Sequence, residues 1–230
     1  MRKTFLAITL FLAFSKAALA QFGNCTATEM RTYVDSATGN TITMLTDTMK
    51  NDRFLYQTDP MWTADGKYLL FRSSSRGNDK EVESTLPNGE KRKWTPTQIY
   101  FIEMATGKII QATEGPNLGS AFLANKTNRM FVSRKEKENW NMYVMDLNKF
   151  FADINQGIVG KLSAYETFIG TFPTEMGRPG GYAVDCNDDY AYITVEREGT
   201  EEEKERMMKN AFLHESNQPV VIKPTLCGNR

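Results

Sequence analysis

An all-β fold built from repeated antiparallel sheets is what this sequence predicts, and two observations carry the prediction. A strand–turn–strand grammar recurs along the chain, and its turns are the Asp-Gly, Thr-Gly and Asn-rich kinds that close tight hairpins. The clearest copy starts at Pro60. Trp62 leads into an Asp65-Gly66 turn, residues 68–71 form an apolar strand, and residues 98–103 alternate as a further strand carrying Ile99, Tyr100, Phe101 and Ile102. Thr106-Gly107 makes the next turn and residues 108–113 return, which completes one four-stranded meander.

The same grammar lies on either side. Upstream, residues 34–46 repeat a strand, the Thr38-Gly39 turn and a second strand. Downstream, residues 120–123, 129–133 and 141–147 give three strands of the next unit, with residues 125–128 as its turn. A third copy begins at residues 181–184, turns at Asn187-Asp188-Asp189 and continues through residues 190–196. Two insertions interrupt the units. Residues 78–93 are polar and include Pro87-Asn88-Gly89, so they read as a solvated loop. Residues 200–215 read as a helix, since Thr200 with Glu203 fits a capping box and Met207, Met208, Ala211 and Phe212 form an apolar stripe. Residues 153–180 read as loop with short strands.

Short four-stranded units repeated along a chain imply the radial sheets of a β-propeller, which has about 4–8 of them. Each unit needs a neighbour on both faces to bury its apolar side chains. About three units are present here, preceded by a strand or two. In many propellers such a leading segment completes the last blade and latches the ring, which requires blades absent from this sequence. The expectation is therefore an incomplete ring. Either the chain belongs to a longer protein with further C-terminal blades, or it closes by assembly with other copies.

Residues 1–20 stand apart. Arg2 and Lys3 precede an apolar run over residues 4–14, and Ala18-Leu19-Ala20 offers small residues where a signal peptidase cuts. A signal peptide over 1–20 and a single domain over 21–230 follow, with export to the periplasm or medium. The apolar run is about half of the ~20 residues that span a bilayer, so a membrane partner is not expected. The 230 residues carry 28 Lys plus Arg against 28 Asp plus Glu, and no overall field favours nucleic acid. Cys25, Cys186 and Cys227 allow one disulfide in an oxidising compartment, with one thiol left over, and their spacing fits no zinc site.

Residues 34–77 resemble the N-terminal part of the oligogalacturonate lyase family, pectin-degrading seven-bladed propellers of bacteria. Asp35-Ser36-Ala37-Thr38-Gly39, Leu45-Thr46, Arg53-Phe54-Leu55-Tyr56-Gln57 and Asp65-Gly66-Lys67-Tyr68-Leu69-Leu70-Phe71 carry the resemblance in order and spacing. Glu114-Gly115, Phe122-Leu123, residues 143–147 and Lys223-Pro224-Thr225-Leu226-Cys227 look like later landmarks of the same family. The Pro-x-Trp-Thr-x-Asp-Gly-Lys unit is also shared with periplasmic propellers of the TolB type and with the propellers of serine oligopeptidases. Both remain alternatives, the first as a non-catalytic binding module.

The resemblance implies β-elimination on short galacturonate chains. A base removes the proton beside the uronate carboxylate, and cations neutralise the enediolate that develops. It further implies a manganese-type ion held by several His and a Gln, with a separate His base. This sequence has one histidine, His214, so no catalytic or metal-binding residue is assigned to it and the chain alone is expected to be inactive. Four arginines are candidates for holding an acidic oligosaccharide: Arg53, Arg72, Arg76 and Arg178, all near expected strand ends or loops. A guanidinium grips a carboxylate through paired hydrogen bonds. Trp62, Trp94 and Trp140 are read as packing between sheets, and Asp185, Asp188 and Asp189 as shaping a turn rather than holding calcium. Ser73-Ser74-Ser75 lacks the glycines of a nucleophile elbow.

Overall fold

The computed structural model describes residues 22–57, 59–77, 81–85, 89–172, 179–196 and 217–222. In chain order the first strands are β1 (Cys25–Thr26), β2 (Arg31–Val34), β3 (Thr41–Met44), β4 (Asp52–Arg53), β5 (Tyr68–Ser73), β6 (Val82–Thr85), β7 (Lys91–Trp94) and β8 (Gln98–Glu103). They continue as β9 (Ile109–Gln111), β10 (Leu118–Leu123), β11 (Arg129–Glu136), β12 (Asn139–Asp146), helix α1 (Leu147–Gln156), β13 (Glu166–Phe172), β14 (Pro179–Val184), β15 (Ala191–Glu196) and β16 (Asn217–Ile222). Three larger antiparallel sheets result, in the orders β1-β9-β8-β5-β4, β10-β11-β12-β13 and β14-β15-β16, beside two hairpins, β2-β3 and β6-β7.

Strand periodicity explains why the larger sheets stack. In β8, Ile99 and Phe101 face one core while Tyr100 and Ile102 face another. In β10, Ala121 and Leu123 join the first of these cores while Phe122 enters a third. Met130 and Val132 of β11 likewise oppose Phe131. The first core therefore lies between the first and second sheets, and the core around Phe122 and Phe131 lies between the second sheet and Ala191 and Ile193 of β15. Tyr100 and Ile102 pack toward Met30 and Leu45, on either side of the β2-β3 hairpin.

Several sequence expectations change. The sheets have five, four and three described strands rather than four each, because β4 and β1 bracket the first meander at its two edges. The leading strand β1 pairs with β9 of that same sheet, Cys25 opposite Ile110, so it does not wait for a last blade. The polar insertion at 78–93 contains the β6-β7 hairpin, in which Ser84 lies opposite Arg92 and Val82 opposite Trp94. The third unit gains β16, which pairs with β15. The expected helix at 200–215, with His214, lies outside the described residues, as do the expected signal peptide and Cys227. Cys25 and Cys186 are exposed free thiols.

Helix α1 was not anticipated, since residues 141–147 read as strand and the segment after 153 as loop. Its signals are nonetheless local. Asp146 caps the start by accepting from the Lys149 backbone N–H at 3.1 Å, and Gly157 closes the end at φ 71°. A ten-residue helix is below the ~12–15 residues that hold together alone in water. Its stability comes from burying Leu147, Phe150, Phe151 and Ile154, each contributing about 1.5–3 kcal/mol. Phe151 stacks on Tyr68 with ring centroids 3.6 Å apart and meets Phe101 edge-on, while Phe150 packs on Phe22. The helix is thus a wedge on the core between the first two sheets.

At one rim, equivalent turns recur at equal spacing along the chain. The backbone N–H groups of Thr63, Ala124 and Asp185 each donate across their turn, to the carbonyls of Tyr68, Arg129 and Tyr190. Each turn also grips its neighbour. The Asp65 N–H donates to Asn128 Oδ1 at 3.2 Å, and the buried Asp188 carboxylate accepts from the N–H groups of Asn125, Lys126 and Thr127 at 2.7, 2.8 and 2.7 Å and from the Thr127 hydroxyl at 2.9 Å. Asp188 reaches them from a left-handed backbone, φ 63°, which Asp tolerates better than most residues.

Two experiments test these contacts. Burial alone raises the Asp188 pKa, but the donors outweigh it and hold the carboxyl below its ordinary range. Its stabilisation is therefore complete above the unfolded-state pKa and is lost as pH falls through the folded one. Asp188→Asn is expected to lower stability by about 1–3 kcal/mol near neutral pH and to flatten the acid side of the stability curve, read by urea unfolding at several pH values. A Cβ at Gly107 would collide with Thr28 and Met30, whereas one at Gly39 meets nothing within 4 Å, although both have φ near 70°. Gly39→Ala should cost about 1–2 kcal/mol from backbone strain. Gly107→Ala should cost distinctly more in the same unfolding measurement.

Candidate functional site

A cleft of about 950 Å³ opens along the edge strands β4, β10 and β14, one from each larger sheet. The ends of β5, β7 and β15 add to its walls. Arg53, Arg72 and Arg92 line it against Asp59, with Tyr56, Trp94 and Tyr192 as aromatic surface. The cations outnumber the carboxylate, so the cleft favours an anion.

The four arginines expected to hold an acidic ligand have different fates. Arg53 on β4 and Arg72 on β5 are directly opposite in register, both exposed, and both line the cleft. Like charges facing each other across two strands destabilise a sheet. Arg53 Nε donates to Asn51 Oδ1 at 3.3 Å, and among the described residues neither guanidinium pairs with a carboxylate. The repulsion is left standing at a ligand-accessible surface.

Arg76, by contrast, is built into the fold. Its side chain is 6% exposed and chelated by two carboxylates, Nε and Nη2 to Asp52 at 2.8 and 2.6 Å, Nη1 and Nη2 to Glu29 at 2.9 and 2.6 Å. Glu29 also accepts from the Asp47 N–H, and the guanidinium lies over the Phe71 ring. Burial opposes the charge on Arg76, but the hydrogen bonds to Asp52 and Glu29 more than restore it, and the bond from Arg76 pulls Glu29 below its ordinary range. The expectation of a ligand contact at Arg76 gives way to a structural clamp joining the segment before β2, the strand β4 and the turn after β5. Arg178 lies outside the described residues.

Arg92 was missed because the segment carrying it reads as loop. As part of β7, it shares a face with Trp94, since strand side chains alternate. Trp140 packs against the core of the second and third sheets, as expected, whereas Trp62 and Trp94 remain 48% and 36% exposed. Among the described residues no three His, Cys, Asp or Glu side chains converge on a point, and His214 lies outside them. The described donors therefore do not fit the manganese-type ion that the resemblance implies, and no reaction step is drawn through it. Among the same residues no helix is long and apolar enough to cross a membrane.

Comparison with solved structures finds this fold in oligogalacturonate lyases, which are propeller-type lyases. One from Vibrio parahaemolyticus matches with a TM-score of 0.53 and 20% identity, over 76% of this chain and 38% of its own. Another, an oligogalacturonate lyase in complex with manganese, matches with a TM-score of 0.56 and 17% identity, over 88% of this chain and 49% of its own. The chain thus spans less than half the length of either. The sequence matches no protein-family model and no curated protein.

Substitutions separate the clamp from the cleft. Arg76→Ala strands Glu29 and Asp52 and is expected to cost about 3 kcal/mol, the low end for a broken buried pair because Glu29 keeps some access to water. Arg72→Thr removes a repulsion and keeps a β-branched residue in the strand. Its unfolding midpoint in urea is expected to match or exceed that of the parent.

Proposed function

We propose that the chain is the N-terminal portion of an exported propeller protein of the oligogalacturonate lyase kind, and that its cleft is a stretch of the channel in which an acidic oligosaccharide lies. The observation that carries this reading is the cleft itself. It is lined by an edge strand of every larger sheet and holds Arg53 and Arg72, which pair with no carboxylate among the described residues. In the complete protein the three sheets are three blades, and further C-terminal blades bring the base, the metal donors and the divalent ion for β-elimination. The chain alone binds and does not turn over. Phe22, the second residue after the expected cleavage point at Ala20, is buried against Phe150 and Tyr165, which supports a mature domain that includes the first residues a signal peptidase would leave.

A single histidine also suits a non-catalytic binding module of the TolB type. Both readings meet one experiment. The full chain with manganese and oligogalacturonate is expected to release no unsaturated, ultraviolet-absorbing product, yet to bind the oligosaccharide in calorimetry. Arg53→Ala with Arg72→Ala should weaken binding by about 10–100-fold, the size of one or two lost charge-assisted hydrogen bonds. Metal-dependent turnover would overturn the claim that the reactive groups lie elsewhere, and absence of binding would overturn the assignment of an acidic sugar to the cleft.

A further inference from the structure

The β6-β7 hairpin is inserted between two neighbouring strands of the first sheet, β5 and β8, and belongs to neither. Its two faces differ in chemistry. Glu83, Lys91 and Lys93 share one face, where Lys91 Nζ meets Glu83 at 2.7 Å in an exposed ion pair. Arg92 and Trp94 share the other, and both line the cleft, whereas Lys91 and Lys93 do not. Arg92 has no partner among the described residues, and Trp94 keeps 36% of its surface open to solvent. An exposed indole and an unpaired guanidinium, two residues apart on one strand, present a flat apolar plate beside a carboxylate receptor.

The remaining cations of the cleft, Arg53 and Arg72, stand on the separate strands β4 and β5. Two cationic stations therefore exist, one on the sheet and one on the hairpin, with Trp94 at the second. A ligand with a single carboxylate satisfies one station. A ligand whose successive rings each carry a carboxylate satisfies both, and the face of one ring covers the indole.

We infer that the β6-β7 hairpin is a second wall of the binding cleft, and that Arg92 and Trp94 select an oligomer with acidic groups on successive sugar rings over a single acidic sugar. The inference rests on the reading of the cleft as an acidic-saccharide site and names the residues that measure ligand length. The hairpin's outer face takes no part in binding.

The test compares galacturonate with trigalacturonate on the full chain, by calorimetry and by tryptophan fluorescence. Arg92→Gln is expected to weaken trigalacturonate about tenfold and to leave galacturonate unchanged. Lys93→Gln, which removes the same charge from the opposite face, is expected to change neither. Trigalacturonate should perturb the fluorescence of the parent, and Trp94→Phe should abolish that signal while Trp62 and Trp140 stay in place. Equal losses from Arg92→Gln and Lys93→Gln would reduce the effect to net charge and overturn the inference. So would an Arg92→Gln variant that binds like the parent while Arg53→Ala is impaired, a result that leaves the cleft assignment intact. If Arg53→Ala and Arg92→Gln both bind like the parent, the cleft assignment falls with it.

Discussion

Burial on both faces of the same strand is the constraint on which this structure depends. A sheet with one wet face needs one apolar residue in two, but β8 places Ile99 and Phe101 in one core and Tyr100 and Ile102 in another, with none of the four more than 3% exposed. Such a strand is unstable without partners before and behind it. The first sheet is accordingly enclosed by the N-terminal segment on one side and by the second sheet and α1 on the other. Neither contact is optional, and Phe150 and Phe151 of α1 complete the core between the two sheets.

The repeat was legible in the sequence because turns and strands report local chemistry. Asp65-Gly66, Thr106-Gly107 and Asn187-Asp188-Asp189 mark hairpins that the structure contains, and the strands between them fall within a few residues of the expected bounds. What was not legible depended on distant parts of the chain. Nothing near Cys25 announces that it pairs with Ile110, and the two strands of the β6-β7 hairpin have Val82 and Trp94 as their one apolar pair, so they carry no apolar alternation to set them apart from loop. Helix α1 is the exception, since Leu147, Phe150, Phe151 and Ile154 fall at helical spacing and Asp146 and Gly157 cap it; the template of successive strands concealed a signal that was present.

The candidate site shows the same division. Arginine near a strand end picked out Arg53 and Arg72, which line the cleft, yet it selected Arg76 on equal terms. Sequence distance hides the difference, because the carboxylates that neutralise Arg76 come from Glu29 and Asp52, two separate segments that only the fold brings together. One residue type thus has two uses in one sheet. Surrounded by acids it is a rivet, and opposed by another cation beside open solvent it leaves a positive charge at the cleft that no described carboxylate neutralises.

The turns at Asp65, Asn128 and Asp188 fasten neighbouring sheets along one rim, at the Tyr68 end of β5, while Arg72 and Ser74 reach the cleft from the opposite end of that strand. The sheets are pinned like the ribs of a fan. Where each rib is pinned sets, together with the cores between the sheets, how far apart the strand ends stand across the molecule. The breadth of the cleft therefore depends in part on the rim opposite its mouth.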